Sequence, residues 1–268
     1  MKIGIVCHPT YGGSGVMATE LGNYLGRKGH EIHVISHSLP VRLDPYNENI
    51  NFHEVVVDPY PLFHYQPYEL ALSSTIVETV RRERLDVLHV HYAIPHAYAA
   101  FMAGEILKDQ GFSIPVITTL HGTDITLVGK NPAYKPAVCF SINHSSKVTA
   151  VSQSLKQQTQ ELFKIKKPIQ VIPNFVNLSG YGRQSKVSRR SFASENEAIL
   201  CHVSNFRPVK RILDVIKVFK KVHDKKESVL IMVGDGPDRA AAEELVQSLG
   251  LKKKVYFRGK TYDIKSML

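Results

Sequence analysis

Apolar residues arrive along this chain in short, dense runs: "KIGIVC" (2–7), "EIHVIS" (31–36), "INFHEVVV" (50–57), "LDVLHVH" (85–91), "PVITTL" (115–120), "KVTAVS" (147–152) and "IQVIP" (169–173). Most are near-continuous rather than alternating, the pattern of a strand covered on both faces. Between them, helical patterns predict helices over 14–28, 68–84, 96–109, 134–145 and 153–163. Strand and helix in alternation imply right-handed crossovers and a doubly wound α/β sheet.

The alternation breaks over residues 174–197, "NFVNLSGYGRQSKVSRRSFASENE", which is polar and basic with no clear period. It reads as an interdomain connection. Strands then resume at 198–204, 228–234 and 254–259, with helices at 209–223 and 237–249. Pro237 sits where the last of these should begin, a favoured first-turn position. The expected organisation is a Rossmann-like domain over 1–173, the connection over 174–197 and a second Rossmann-like domain over 198–268. That second domain is expected to be truncated, because its next helix starts near Tyr262 and the chain stops at Leu268.

Composition adds exclusions. No run approaches the about 20 apolar residues of a membrane span, so no membrane insertion is expected. "MKIGIVC" enters a strand at once, without a signal-peptide pattern. Cys7, Cys139 and Cys201 lie far apart with no C-x-x-C, which suits a reducing cytoplasm. The net charge of +10 is unevenly spread. Residues 1–163 hold 12 Lys and Arg against 14 Asp and Glu, and residues 164–268 hold 22 against 10. The basic second part suits a polyanionic ligand such as a nucleotide diphosphate. Nucleic acid is not an expected partner, since the chain lacks RNP, helix-turn-helix and zinc-finger patterns and does not interleave its lysines with aromatics.

Candidate chemistry lies at the carboxyl ends of the strands, where ligands sit in α/β sheets. The first strand runs into "HPTYGGSGV", whose Gly12, Gly13 and Ser14 would let backbone N–H groups at a helix start approach an anion. The spacing is neither G-x-G-x-x-G nor a P-loop. His89, His91 and Tyr92 close another strand, and Thr119 precedes His121-Gly122-Thr123-Asp124. A zinc site at His89, His91, His96 and His121 has no H-E-x-x-H and no cysteine in its favour. His121 could bond a sugar hydroxyl or assist proton transfer, and Thr123 or Asp124 could equally serve as an ordinary helix N-cap. In "SNFRPVKRILDVI", Arg207, Lys210 and Arg211 stand at a helix mouth, an arrangement that can cradle phosphate.

Together "GGSG", "HVHY", "TTLHGTDIT", "VIPNFVN", "SNFRPVKR" and "VGDGP" resemble the retaining GT-B glycosyltransferases of family four along the whole chain. The resemblance implies two Rossmann-like domains facing one cleft, the first binding the acceptor and the second a UDP-sugar. A narrower likeness, in "GGSGVMATELG", "KGHEIHVIS", "HYAIPHA" and "HVSNFRPVKRILDVIKVF", implies transfer of GlcNAc from UDP-GlcNAc to the hydroxyl of L-malate, the first step of bacillithiol biosynthesis. UDP-GlcNAc is then a substrate, and no cofactor or metal is implied. By the same resemblance, Gly12 and Gly13 contact the donor phosphates, and His121 lies near the transferred sugar. Asn174 faces the cleft, and Arg207 and Lys210 neutralise the leaving diphosphate. Lys260 and Thr261 fall in the 259–264 stretch that holds the base. Ser14, Tyr92 and Thr119 fall on the acceptor side, and Arg42 is a candidate partner for a malate carboxylate. The family's E-x7-E glutamates would follow two further βα units, and this chain ends before them, so it is expected to be a fragment. Other readings are an inositol phosphate or glycolipid acceptor, or a non-catalytic nucleotide-binding remnant. A homo-oligomer is compatible with the sequence.

Overall fold

The structure, a computed structural model, describes residues 1–58, 62, 64–177 and 189–261. The chain divides into two compact units, Met1–Val176 and Asn177–Leu268. In the first, strands β1 (Lys2–Val6), β2 (Glu31–Ser36), β3 (Ile50–Glu54), β4 (Val87–His91), β5 (Val116–Leu120), β6 (Lys147–Ala150) and β7 (Ile169–Val171) alternate with helices α1 (Gly13–Arg27), α2 (Tyr68–Glu83), α3 (Tyr98–Asp109), α4 (Lys135–His144) and α5 (Gln153–Leu162). In the second, β8 (Ala198–Val203), β9 (Ser228–Val233) and β10 (Val255–Gly259) alternate with α6 (Ile212–His223) and α7 (Arg239–Ser248).

The first unit is one parallel sheet in the order β3-β2-β1-β4-β5-β6-β7. Its central strands are mostly buried because both faces are covered. Ile3, Ile5, Ile32 and Val34 pack with Ala18 of α1 on one side. Val6, Ile35, Leu88 and Val90 pack with Leu72, Ile76, Ala100 and Ala103 of α2 and α3 on the other. A third cluster joins Leu120, Val148 and Ala150 to Val138, Ile142 and Leu155 of α4 and α5. β1 lies between β2 and β4, so the chain winds away from it in opposite directions. The loops after β1 and β4 therefore diverge and leave a crevice at their carboxyl ends.

The second unit is a parallel sheet in the order β10-β9-β8, with every residue of β9 buried. α6 meets it through Ile212, Ile216 and Phe219, spaced to share one face, while Lys217, Lys220 and Lys221 turn outward. The expected alternation is present in both units, with shifted boundaries. A turn at Ala93–Ala97, kinked at the extended Ile94, and a wide helical turn at Asp124–Val128 intervene where one helix or none was expected. α6 starts at Ile212, not 209, because a 3-10 turn, Pro208–Lys210, comes first. α7 starts at Arg239 behind an Asp238 N-cap, so Pro237 precedes the helix instead of opening it. Residues 178–188 of the connection and the helix expected from Tyr262 lie outside the described residues.

The glycines of the first turn differ in what holds them. A Cβ on Gly15 would sit 2.3 Å from the His8 carbonyl oxygen and 2.7 Å from that of Thr10, whereas one on Gly13 would meet nothing within 4 Å. Gly15→Ala is therefore expected to destabilise the protein by about 1–3 kcal/mol through overpacking. Gly13→Ala should leave stability unchanged or raise it by about 0.4–1 kcal/mol by restricting the unfolded chain. Thermal denaturation of the two variants checks this; equal midpoints would contradict it.

Candidate active site

The loop after β1 delivers α1 with its N-terminus unspent. Gly12 is the N-cap and provides no side-chain cap, and the first turn holds no acidic residue. Open space at Gly13 means that the protein's own packing does not require its missing side chain. Ser14 lies in the same first turn, half-buried. The first-turn N–H groups and the positive end of the helix dipole suit an anionic oxygen.

Beside this turn, five histidines cluster at the ends of β1, β4 and β5. His91 Nδ1 lies 2.8 Å from His121 Nε2, and their rings are within 27° of coplanar with centroids 5.1 Å apart. That is an edge-on hydrogen bond rather than a face stack. His89 Nε2 meets Thr119 Oγ1 at 2.7 Å, and Thr119 Oγ1 meets Thr149 Oγ1 at 2.7 Å. His96 Nδ1–H donates to the His91 carbonyl at 2.5 Å. His8 packs against His96 and, edge-on, against Tyr92. The Tyr92 hydroxyl bonds Thr123 Oγ1.

The cluster is dry and neutral. Burial pushes His89 and His121 down to about 4 and His96 down to about 3, and holds His91 well below the usual imidazole range. The positive forms of neighbouring histidines lower His91, His96 and His121 further, except that the His91 carbonyl bond pulls His96 partly back up. Asp124 is fully buried, and desolvation raises its carboxyl to about 6 against the opposing pull of backbone N–H bonds. It is not an ordinary helix cap: its oxygens reach back to the N–H groups of His121 and Gly122 and across to that of Ala93.

The expected residues divide accordingly. Tyr92, Thr119 and His121 come together. Thr119 is turned inward to His89 and Thr149. Arg42 is instead ion-paired with Glu20 at 3.5 Å, and its carbonyl holds Asn23. Asn174 is exposed beyond β7. His8, Thr123, Thr149 and Asp124 join the cluster without having been singled out for it. Thr123 and Asp124 carried the signal of a helix cap, and only places near strand ends signalled His8 and Thr149. His8 also lines a pocket of about 540 Å³ with His37, Glu54, Gln66, Tyr68 and Pro95.

In the second unit, the loops after β8 and β9 interlock. A Cβ on Gly234 would lie 1.7 Å from the Ser204 carbonyl oxygen, so "SNF" and "VGDGP" fit only as glycine against backbone. The Asp238 N–H donates to the Phe206 carbonyl, which anchors the same contact. This fixes the turn bearing Arg207 and Lys210, both exposed. Arg211 bonds Asp214 at 2.7 Å and is engaged locally. Lys260 and Thr261 follow β10, and residues 262–264 of that stretch lie outside the described residues.

In the four-histidine zinc reading, one nitrogen of each imidazole is already bonded to another imidazole, to threonine or to backbone, the Nε2 atoms of His91 and His96 are buried without a partner, and the four do not come close enough together to form a metal-holding group among the described residues. Among the described residues, His33, His53 and Glu83 are instead near enough together to hold a cation. Their donors argue otherwise. Arg82 can only donate, so His53 Nδ1, 3.1 Å away, accepts. His53 Nε2–H then donates to His33 Nδ1, and His33 Nε2–H donates to Glu31. Each nitrogen is accounted for. A metal on His53 Nε2 would require a protonated Nδ1 facing the Arg82 donor.

Residues 11–179 match the family model described as Glycosyltransferase Family 4, and residues 184–268 match Glycosyl transferases group 1. The chain is 46% identical over 270 residues to N-acetyl-alpha-D-glucosaminyl L-malate synthase of Bacillus anthracis, covering all of this chain and 70% of that protein. It is 26% identical over 264 residues to an uncharacterized glycosyltransferase of Methanocaldococcus jannaschii, covering 92% of this chain and 65% of that one. The crystal structure of Anabaena HepE in complex with UDP and glucose superposes with a TM-score of 0.76 at 18% identity, covering all of this chain and 71% of that one. That likeness concerns the fold, which is the GT-B class expected from the sequence. No helix among the described residues is long and apolar enough to cross a membrane.

The neutral cluster sets an acid limit on stability. A histidine whose folded pKa lies below its ordinary 6.5 takes up its proton more readily when unfolded. Its contribution is complete above about pH 6.5 and is lost as pH falls toward about 4. Asp124 has the opposite sign, since its pKa rises from 3.8 to about 6, and it offsets part of that loss. One carboxyl opposes several imidazoles, so the net effect is destabilising. The melting temperature of the first unit should stay level from pH 8 to about 7 and fall steeply between about pH 6.5 and 4. A level midpoint down to pH 4.5 would show that the native cluster accepts protons freely.

Proposed function

The chain belongs to glycosyltransferase family 4, and on that premise we propose that it transfers GlcNAc from UDP-GlcNAc to the hydroxyl of L-malate with retention at the anomeric carbon. The observation that carries this reading is 46% identity along the full chain to a protein named N-acetyl-alpha-D-glucosaminyl L-malate synthase. The acceptor hydroxyl oxygen bonds the anomeric carbon, the bond to UDP breaks with its electron pair leaving on the diphosphate, and the hydroxyl proton is released.

Each group then has a task. Arg207 and Lys210 stabilise charge growing on the leaving phosphate. Preorganised cations act there in the transition state without reorganising. The N–H groups of Gly13 and Ser14 bind an anionic oxygen of the reactants. His121, neutral at pH 7, hydrogen-bonds the transferred sugar, and Tyr92 borders the acceptor. The low imidazole pKa suits hydrogen bonding rather than charge pairing. Tyr68 lends the pocket beside His8 a buried hydroxyl with no protein partner among the described residues. No step calls for a divalent cation.

Incubating the protein as its gene encodes it with UDP-GlcNAc and separate acceptors, followed by mass spectrometry, tests the assignment. L-malate should gain the sugar, while inositol phosphate and glycerol should not. Equal turnover of all three would overturn the acceptor assignment. Activity should persist in excess EDTA; loss on chelation with recovery on added magnesium or manganese would contradict the proposed charge neutralisation. Lys210→Ala should lower kcat/KM by about 10²–10³ with its melting temperature unchanged. Near-normal turnover would reduce Lys210 to a solvated surface charge.

A further inference from the structure

Asp124 is a buried carboxylate for which the proposed chemistry has no use. It is 0% exposed. Its Oδ1 accepts the N–H groups of Gly122 at 2.8 Å and His121 at 3.2 Å, and its Oδ2 accepts that of Ala93 at 3.3 Å. The two oxygens therefore serve two different loops, one leaving β5 and one leaving β4. A buried charge is costly unless hydrogen-bonded, and these three donors are what make it tolerable.

The loop on the Ala93 side needs such a restraint. Tyr92 has φ 93° and ψ 135°, a conformation that side-chain-bearing residues rarely adopt. Such geometry persists only where the surroundings over-determine it. Here the Tyr92 N–H donates to the Thr119 carbonyl at 3.0 Å, its hydroxyl bonds Thr123, and the next N–H, on Ala93, ends on Asp124. The Tyr92 and His121 rings lie 6.0 Å apart and within 23° of parallel.

We propose that Asp124 is a positioning residue, a carboxylate clasp that ties the two loops together and so sets Tyr92 and His121 in the arrangement that meets the reactants. Its catalytic consequence rests on the transferase reading above; the clasp itself does not. An amide cannot replace it: Asn offers one acceptor oxygen and turns an NH2 donor toward an N–H on one of the two loops.

The test is Asp124→Asn with amide hydrogen exchange and steady-state kinetics. Exchange should accelerate at Ala93, or at His121 and Gly122, while β1 and β2 stay protected. In the protein as its gene encodes it, kcat should fall about 10–100-fold, the scale of a small misplacement of reacting groups. KM for UDP-GlcNAc should stay within about twofold, because a transition-state arrangement is lost rather than donor affinity. Asp86→Asn is the control. Its carboxylate also accepts a backbone N–H, from Lys2 at 2.8 Å, but at the amino end of the sheet, and kcat should not change. Wild-type kcat in Asp124→Asn, or an equal loss in both variants, overturns the proposal. Should Asp124→Asn fail to fold, the wild type still decides. Ala93, His121 and Gly122 should exchange as one protected group, and an Ala93 amide exchanging independently of the other two refutes the clasp. If the wild type transfers sugar to no acceptor, the transferase reading fails, and the exchange result judges the clasp alone.

Discussion

The placement of β1 between β2 and β4 is the constraint from which the rest of the first unit follows. A right-handed crossover leads one way from β1 to β2 and the opposite way in the half that begins at β4. The chain ends there part from each other, and the residues of the histidine cluster lie on the carboxyl-end halves of β4 and β5 or on the loops that follow β1, β4 and β5. The two helical layers that cover the sheet bury most of its inner strands, while the edge strand β3 stays partly exposed. That burial explains why residues at the strand ends lie in a dry, rigid setting.

Dryness governs the chemistry. Five imidazoles and one carboxyl would repel or hydrate one another on a surface. Here burial keeps the imidazoles neutral, so His89, His91, His96 and His121 bond through one ring nitrogen each to another imidazole, a threonine or a carbonyl without a counter-ion, and His8 packs on them by its ring. Asp124 alone carries a charge inside this region, and only backbone N–H groups oppose it. The second unit solves a different problem. The turn that bears Arg207 and Lys210 is held by a backbone contact, Gly234 against Ser204, that leaves no room for a side chain. The glycines of "VGDGP" thus serve the neighbouring loop of "SNFRPVKR" as well as their own.

The alternating code of strands and helices was legible because a parallel sheet demands apolar runs and its helices demand a stripe. Both are local patterns, and both units follow them to within a few residues. Boundaries were less legible where short turns intervene, as at Pro208–Lys210, since such turns carry no period. "GGSG", "HGTD" and "FRPVK" could be singled out as chemistry because small, polar or basic residues stood immediately after apolar runs.

What the sequence could not determine is which groups share partners. His91 and His121 are 30 residues apart and meet only because β4 and β5 are neighbours in register, His91 opposite Thr119. Arg42 looked available until the fold set it beside Glu20. Asp124 carried the ordinary signal of a helix cap, and only packing turned its carboxylate backward and across to Ala93. Local periodicity is set by neighbours along the chain and is written in the sequence. Protonation, pairing and reach depend on burial and on groups brought in from other strands, and the tertiary structure alone decided them.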